Sequence, residues 1–416
     1  MAKSQVISPQ NKHALAFIFI TVVLDMLALG VIIPILPNLV VSLVGGSQVQ
    51  GALMNGLFGT VFALMQFVFS PILGSLSDRF GRRPVILLSN FGMGLDYLVM
   101  ALAPTVGWLF VGRVISGITS SSITAAFAYI ADSTTPKTRA AGFGILGAAF
   151  SIGFVVGPGV GGWLGNISPR LPFWVAGGLS FLNFLYGYFV LPESLKASRR
   201  SPFSWKRANP VGSLKLLKSR AELLGLAFVS FIDNLAHGVF SSVFVLYAGY
   251  RYHWDEKTIG LSLMLVGICT GLVQGGLIRP FVKRFGERLS LLTGMGFGLA
   301  GFAAFGWAPT GALFCAAIPL AALWGLAGSP LQSLMSQRVG HSQQGQLQGA
   351  NGSIRAIAEL AAPFIFTGIY AYFIALERTL PLPGSPFYLA AFFLLINAIL
   401  AWQVTQKIQK TKRKPV

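Results

Sequence analysis

Long apolar runs, separated by short basic clusters, limit the fold of this sequence more than any other feature. A helix of about 20 predominantly apolar residues crosses a bilayer, and twelve such segments can be marked. They lie at about 14–38, 50–73, 84–103, 106–130, 139–164, 171–191, 222–250, 258–279, 289–308, 311–336, 348–376 and 386–405. Of the 416 residues, 54% are hydrophobic and 10% are charged, too few to cover a water-soluble surface. The sequence predicts an all-α integral membrane protein with twelve transmembrane helices.

The basic clusters predict the orientation, because cytoplasmic loops carry an excess of Lys and Arg. With both termini in the cytoplasm, that side carries Lys3, Lys12, Arg79, Arg82, Arg83, Lys137, Arg139, the 196–220 cluster, Arg279, Lys283, Arg284, Arg288, Arg338 and the Lys407–Lys414 tail. The exceptions are Arg170, Arg251, Lys257 and Arg378. This asymmetry explains the net charge of +19. The sequence has no basic segment interleaved with aromatic residues, and therefore does not indicate a nucleic acid partner.

A charged turn, Gly74–Pro84, lies between the second and third segments with the sequence GSLSDRFGRRP. Gly74 is expected to let two helices approach closely, and Gly81 permits a sharp reversal. Pro84 suits the first turn of the next helix. The turn combines one carboxylate with three cations, Asp78, Arg79, Arg82 and Arg83. A tight connection between two helices is predicted here.

The pattern G-x-L-x-D-R-x-G-R-R in this turn resembles the loop signature of the major facilitator superfamily of secondary transporters. The resemblance implies the fold of that superfamily, with two six-helix bundles that move about a midplane cavity. It also implies that the turn is a latch on the cytoplasmic side. In related transporters the acid of the motif faces the start of the eleventh helix, which here lies near Gln346–Ser353.

The longest polar stretch, Pro192–Arg220, predicts a linker between two halves. The domains are then 1–191, a cytoplasmic linker at 192–221, and 222–416 with a basic tail. Trp205 and its basic neighbours could lie on the anionic inner leaflet, or the linker could be a solvated basic loop. The halves repeat, because D-R-F-G-R-R at 78–83 corresponds to K-R-F-G-E-R at 283–288. The second copy is degenerate, since a lysine replaces the acid.

Ionisable residues inside the apolar segments are the strongest functional signal, because each costs about 2.5–3.5 kcal/mol at a helix centre. The candidates for proton coupling are Asp25, Asp96, Arg113, Asp233, His237, Arg355 and Glu359. A buried carboxylate at Asp25 could exchange a proton near neutral pH, so it is the proposed proton carrier. Arg113 lies in G-R-V-I-S-G, which resembles the superfamily motif of the fourth helix. It would couple protonation to conformation, or form a static ion pair.

Other pairs leave their role open. Asp233 and His237 share one helical face and could bind a cationic substrate group, pass protons or, as the weakest option, ligate a metal. Arg355 and Glu359 repeat that spacing, as an internal salt bridge or a functional pair. Asp96 could orient its helix or take part in transport. The candidate substrate cavity is lined by amide side chains, Gln66, Asn234, Gln274 and Gln332.

The fifth segment contains the run G-F-V-V-G-P-G-V-G-G at Gly153–Gly162. Glycines at this density allow close helix packing, and Pro158 adds a bend, so a pivot is predicted. Its predicted members are Gly153, Gly157, Pro158, Gly161 and Gly162. The pattern is similar to the antiporter motif of exporters, which implies export rather than uptake.

Over the whole chain the sequence resembles the tetracycline/proton antiporter branch of the twelve-helix drug:proton antiporters. The resemblance includes L-D-Y at 95–97, A-Y-I-A-D at 128–132, I-G-L-S-L at 259–263 and G-Q-L-Q-G at 345–349. That branch is expected to carry a histidine in the eighth helix and an acid in the ninth. Here the eighth reads Ile268, Cys269, Thr270, and the ninth reads G-M-G-F-G at 294–298 without an ionisable group.

The predicted function is therefore proton-driven export of amphipathic organic compounds by alternating access, with tetracycline as the leading substrate. The high phenylalanine content, 34 residues, favours an aromatic cavity for such a substrate. The alternatives are an exporter of an endogenous metabolite, siderophore or lipid-like molecule, and a non-transporting sensor or passive channel. No nucleotide-binding G-x-x-x-x-G-K-[ST] motif occurs in these residues. We expect a monomer in a bacterial inner membrane, not an enzyme, in contact with substrate, protons and lipids and without a metal or other cofactor.

Overall fold

The structure, a computed structural model, describes residues 9–120, 123–134, 139–203, 212–219, 221–340, 343–375 and 381–413. Their regular secondary structure is helical, without a strand. The α-helices are α1 (Pro9–Ile32), α2 (Leu36–Leu43), α3 (Gln48–Phe80), α4 (Arg82–Leu102), α5 (Val106–Thr119), α6 (Ile123–Ser133), α7 (Arg139–Ile167), α8 (Leu171–Val190), α9 (Ala221–Tyr252), α10 (Glu256–Leu272), α11 (Ile278–Trp307), α12 (Gly311–Ala322), α13 (Gly328–Ser336), α14 (Gln344–Ile374) and α15 (Ser385–Arg413). Several positions in the predictions above lie outside the described residues, namely Lys3, Lys137, Trp205, Lys206, Arg207, Arg220, Arg378 and Lys414.

Eleven stretches of the described residues are long and apolar enough to span a bilayer, which makes this a multi-pass membrane protein. One of them, Glu256–Trp307, has 52 residues, more than twice the length that one span needs. This stretch has a kink at Gly286, where the backbone is not helical, with φ 77° and ψ 168°. Among the described residues there are thus eleven candidate spans, or twelve when this stretch is divided at the kink.

The first predicted segment, 14–38, is not one continuous helix. α1 ends at Ile32, and α2 begins at Leu36 after a short turn. In this turn the N–H of Ile35 donates to the carbonyl of Ile32 at 3.0 Å, three residues back rather than four. Pro34 explains the break, because proline has no N–H and its ring clashes with the preceding helical turn.

The chain forms two compact units. The first comprises Met1–Leu36, Leu64–Asn209 and Glu256–Met264. The second comprises Pro37–Ala63, Pro210–Asp255 and Leu265–Val416. The division into two six-helix bundles joined at 192–221, and the cytoplasmic location of both termini, remain predictions.

The helix pairing inside the two units repeats. In the first unit α1 packs on α7 and α8, and α4 packs on α5 and α8. In the second unit α9 packs on α14 and α15, and α11 packs on α12 and α15. The partners follow the same order along the chain in both sets. This is the relation that the sequence repeat at 78–83 and 283–288 predicts.

Arg170, one of the exceptions to the predicted charge asymmetry, binds the C-terminal end of α4. Its Nη1 donates to the carbonyl of Ala101 at 2.6 Å, and its Nη2 donates to the carbonyl of Ala103 at 2.8 Å. The last carbonyls of a helix have no partner within the helix and carry its negative dipole end. A cation is therefore favoured at this position.

Arg251 occupies the equivalent position at the end of α11. Its Nε donates to the carbonyl of Ala308 at 3.0 Å, and its Nη2 donates to the carbonyl of Trp307 at 3.2 Å. The hydroxyl of Tyr252 also donates to Ala308, at 2.7 Å. Two of the basic residues that deviate from the charge asymmetry are thus explained as helix caps.

We predict that Arg170→Gln lowers the stability of the protein, because a neutral amide interacts more weakly with the end of the α4 dipole. The expected loss is about 1 kcal/mol, or about 2–4 °C in the midpoint of thermal unfolding. The measurement is thermal unfolding in detergent. Lys257→Gln, which removes the charge of an exposed lysine, is the control. Equal midpoints for the two variants would contradict the capping role.

Candidate functional site

Arg82 joins three helices at the predicted latch. Its Nη1 lies 2.6 Å from Oδ1 of Asp78 at the end of α3, and its Nε donates to Oδ2 of Asp132 in α6 at 2.9 Å. Its Nη1 also donates to the hydroxyl of Ser77 at 2.7 Å. The reversal that brings Arg82 to the start of α4 occurs at Gly81, where φ is 109°. The turn therefore has the geometry predicted from its glycine.

The neighbouring arginines of the turn have other partners. Nη2 of Arg83 donates to the carbonyl of Tyr188 in α8, and its guanidinium lies 5.9 Å from the centre of the Tyr188 ring. The guanidinium of the exposed Arg79 lies 5.0 Å from the ring centre of Phe80. Arg82, rather than either of these, is the buried cation of the motif.

Gly74 has free space beside it among the described residues. A Cβ atom at Gly74 would meet nothing within 4 Å in the part of the chain that the structure describes. The close helix approach that the sequence predicts at Gly74 stays a prediction. The predicted approach of Asp78 to the start of α14 stays a prediction.

The glycine run of α7 packs against α1. Its contact face has a glycine at every fourth position, namely Gly153, Gly157 and Gly161. A Cβ at Gly157 would lie 2.7 Å from Cα of Gly30, and one at Gly161 would lie 2.0 Å from the carbonyl oxygen of Val31. Both distances are too short for real side chains. Only glycine allows α1 and α7 to lie this close.

The other side of the same run packs against α10. A Cβ at Gly162 would lie 2.3 Å from the carbonyl oxygen of Glu256. Conversely, a Cβ at Gly260 would lie 2.3 Å from the carbonyl oxygen of Pro158. The close packing predicted from this run is present on two faces of α7. Its action as a pivot remains a prediction.

Asp25 lies in α1 and is buried, with 7% of its surface exposed. Nδ2 of Asn183 in α8 donates to Oδ1 of Asp25 at 2.7 Å and to the carbonyl of Thr21 at 2.9 Å. Among the described residues, Oδ1 of Asn183 and the hydroxyl of Thr21 have no hydrogen-bond partner. The carboxyl group of Asp25 thus lies in a closed, polar pocket between α1 and α8.

Asp96 and Arg113 come together between α4 and α5. The hydroxyl of Ser116 donates to Oδ2 of Asp96, and Arg113 interacts electrostatically with the same carboxylate. Tyr97, next to Asp96, lies within electrostatic range of both Arg113 and Asp25. Three of the ionisable residues singled out in the sequence therefore lie in one region of the first unit.

Asp233 and His237 meet at one residue that the sequence analysis missed, Trp324. Its Nε1 donates to Oδ1 of Asp233 at 3.0 Å. Its ring centre lies 5.2 Å from that of His237 and 5.3 Å from that of Phe302. A Cβ at Gly298 would lie 2.8 Å from the indole. Gly298, in the ninth predicted span, thus leaves room for the Trp324 ring. The tetracycline branch is expected to carry an acid in this span, and here the span has none.

Arg355 and Glu359 form an ion pair on α14. Nε of Arg355 lies 2.7 Å from Oε1 of Glu359, and the two side chains are 68% and 40% exposed. Both interact electrostatically with His237, which is also exposed. The pair is therefore a salt bridge that remains accessible, beside the Trp324 site.

The amide residues of the predicted cavity have different surroundings. Gln332 accepts from Asn351 and donates to Gln348, at 2.8 Å each. Asn234 donates to the carbonyl of Ser230 at 2.7 Å. The exposed Gln274 lies in the π-helical turn Val273–Leu277 of the second unit, and the half-buried Gln66 lies in α3 in the first unit. Gln332 is thus part of an amide cluster within the second unit, and the cavity lined by all four stays a prediction.

The large aromatic cluster of the second unit is core rather than cavity. Its members pack ring to ring with centres 4.3–6.4 Å apart and include Phe240, Phe244, Phe302, Phe305, Phe314 and Phe387. All but Phe240 are fully or nearly fully buried. The argument from phenylalanine content to an aromatic cavity is wrong for this cluster, because these rings stabilise the helix packing.

The chain is similar to known proteins over most of its length. The model of one family, described as Major Facilitator Superfamily, matches residues 18–363. The class C tetracycline resistance protein of Escherichia coli is 38% identical over 362 residues, which are 87% of this chain and 91% of that protein. The class B tetracycline resistance protein of Escherichia coli is 32% identical over 391 residues, 93% and 96% of the two chains.

The fold is also similar to that of solved transporters. The crystal structure of the human organic anion transporter MFSD10 superimposes with a TM-score of 0.69. The two chains share 23% sequence identity, and the match covers 95% of this chain and 100% of the MFSD10 chain. At this identity the likeness concerns the fold alone.

We predict that Gly157→Ala destabilises the protein, because its methyl group would overlap the backbone of α1 at Gly30. Overpacking of this kind costs about 1–3 kcal/mol. Gly147→Ala on the same helix is the matched control, since a Cβ there meets nothing within 4 Å. The control is expected to be neutral or stabilising by up to about 1 kcal/mol. Thermal unfolding in detergent measures both, and equal midpoints would refute the close packing of α1 and α7.

Proposed function

Because the chain belongs to the Major Facilitator Superfamily, we propose that it exports amphipathic organic compounds in exchange for protons. Tetracycline is the first substrate to test, since relatives over most of the chain are tetracycline resistance proteins. The observation that carries the proposal is the Asp25 pocket, a buried carboxyl group bound by one amide. Buried ionisable groups within membrane helices are costly and are retained for function.

The amide of Asn183 can serve both protonation states of Asp25. In the present arrangement its Nδ2 donates to the carboxylate, which suits the ionised form. A protonated carboxyl group is itself a donor, and the Oδ1 atom of Asn183 has no described partner. Rotation of the amide would bring this acceptor to the proton. The pocket can therefore gain and lose a proton without leaving the carboxyl group unpaired.

Arg113 and Asp96 give the pocket a charged neighbourhood that responds to conformation. A cation near an acid favours the ionised form, so a change in the distance from Arg113 would alter proton affinity. Tyr97 lies within electrostatic range of both Arg113 and Asp25. We infer that proton release follows when helix movement brings the arginine closer. A static ion pair would leave proton affinity unchanged during transport.

The Trp324 site of the second unit is the candidate for substrate recognition. It combines an indole, a carboxylate and the exposed His237, next to the accessible Arg355–Glu359 pair. An aromatic surface beside groups of both charges suits a planar amphipathic compound. The same site favours a second candidate function, export of a different organic compound such as a metabolite or siderophore. The observation behind it is Trp324, which fills the space beside Gly298 in the ninth span.

We place the protein in a bacterial inner membrane, as a monomer with both termini in the cytoplasm. The test of function is tetracycline uptake into proteoliposomes under an imposed pH gradient, together with proton movement. Uphill uptake supports a coupled transporter. Downhill equilibration alone would indicate a channel, and binding without movement would indicate a sensor. Uphill movement of other compounds but not tetracycline would favour the second candidate.

We predict that Asp25→Asn abolishes uphill transport, because an amide cannot carry the proton. Uptake driven by the pH gradient should fall to the level of empty liposomes. Binding should persist, since the asparagine can still accept from Asn183, and ligand should raise the thermal midpoint as in the wild type. Asp255→Asn, a change at an exposed carboxylate, is the control. Gradient-driven accumulation by Asp25→Asn at the wild-type level would exclude Asp25 as proton carrier.

We predict that Trp324→Phe weakens substrate binding, because it keeps an aromatic ring beside His237 but removes the donor to Asp233. Loss of one charge-assisted hydrogen bond corresponds to an increase in KM of about tenfold, with the maximal rate little changed. Trp307→Phe at the exposed end of α11 is the control. An unaltered KM in Trp324→Phe would show that the indole does not order the substrate site.

A further inference from the structure

We propose that Glu193 is a positioning residue of the transport cycle, which holds the start of α4 so that Arg82 can join its partners. The inference rests on the proposed transport function. Glu193 lies three residues beyond the end of α8, at the start of the predicted linker. No motif in the sequence marks it.

The need for such a residue follows from the first two residues of α4. The helix begins with Arg82 and Arg83, two cations at the positive end of the helix dipole. Its first N–H groups also have no partner within the helix. An arginine side chain cannot accept a hydrogen bond, so these residues cannot cap their own helix. A side chain from elsewhere in the chain can supply the acceptor instead.

Glu193 supplies that acceptor with both carboxylate oxygens. Oε1 accepts from the backbone N–H of Arg82 at 2.9 Å, and Oε2 accepts from the N–H of Arg83 at 3.2 Å. Oε1 also accepts from the N–H of Leu195 at 2.9 Å, which fixes the carboxylate on its own segment. One carboxylate thus accepts from the two N–H groups that have no partner within the helix, and its negative charge lies at the positive end of the helix dipole.

Gly81 makes this contact possible. A Cβ at Gly81 would lie 2.2 Å from Oε2 of Glu193, well inside the contact distance. The glycine of the loop motif therefore has two functions, the positive φ of the reversal and room for the carboxylate. A side chain at this position would displace Glu193 from the helix end.

The backbone of Arg82 is the link between Glu193 and the latch. With its N–H held by Glu193, the guanidinium of Arg82 reaches Asp78 and Asp132. The following segment is bound to the same turn, because the N–H of Ser201 donates to the backbone carbonyl of Asp78 at 3.0 Å. The start of the linker is therefore docked on the loop motif and does not act as a free tether.

The second copy of the motif shows why the first copy needs an external anion. There Glu287, the counterpart of Arg82, follows Gly286 and supplies a carboxylate at the equivalent helix start. It accepts from the hydroxyl of Ser333, and from Nε2 of Gln337 at 2.9 Å. In the first copy arginine occupies this position, and Glu193 provides the missing negative charge.

The test compares Glu193→Ala and Glu193→Gln with the wild type in proteoliposomes that carry tetracycline. We expect Glu193→Ala to reduce the maximal rate about tenfold, as for one lost charge-assisted hydrogen bond, with KM unchanged. Glu193→Gln keeps one acceptor and should lose about threefold. Lys196→Ala, an exposed neighbour on the same segment, is the control. A wild-type maximal rate in both variants overturns the proposal, and Glu193→Gln decides if the alanine variant does not fold.

A second readout does not depend on the substrate. Hydrogen exchange of the peptide that covers residues 78–90 should be faster in Glu193→Ala and intermediate in Glu193→Gln, because the N–H groups of Arg82 and Arg83 lose their acceptor. Unchanged exchange overturns the role of Glu193, whatever transport shows. If wild-type protein moves no tetracycline but the exchange changes as expected, the capping role stands and the proposed substrate is wrong.

Discussion

The first N–H groups and the last carbonyls of a helix have no partner within the helix, and the arrangement of the first unit follows from how α4 satisfies both sets. Arg170 binds the carbonyls at its C-terminal end, and Glu193 binds the N–H groups at its start. The anion lies at the positive end of the helix dipole and the cation at its negative end, so both charges stabilise the helix. Asp96 lies in α4 between these ends. The groups that bind the two helix ends therefore also fix the position of this carboxyl group along the helix axis.

Close packing sets the environment of the other buried acid. The glycines of α7 let it approach the backbone of α1 at Gly30 and Val31, just after Asp25 in the same helix. Helices this close exclude bulky side chains from their contact face, and the hydrogen-bond partner of Asp25 comes from α8. Asn183 fills this role by binding both the carboxylate and the backbone of α1. Asp25 therefore lies on a helix that is packed through glycines on α7 and bound through an amide from α8.

The sequence predicted what depends on local composition. Apolar length predicted the spans, and the glycine pattern predicted the reversal at Gly81 and the packing of α7. It did not reveal Trp324 or Glu193, whose partners lie 91 and 111 residues away in the chain. Periodicity contains no information about such pairs, because they depend on which helices become neighbours. Gly74 illustrates the same limit, because a small residue permits a close helix approach but does not supply the neighbouring helix.

The repeat explains why the two units carry different chemistry on the same helix pairing. In the first unit a cation starts α4, so the motif must draw in Asp78, Asp132 and Glu193, and it becomes an ionic network tied to the linker. In the second unit Glu287 starts the equivalent helix with the charge that the dipole favours, and neutral partners satisfy it. No network is needed there, which leaves the second copy free to lose its acid. Substitution of one charge at a helix start thus changes which partners the two copies of the motif need.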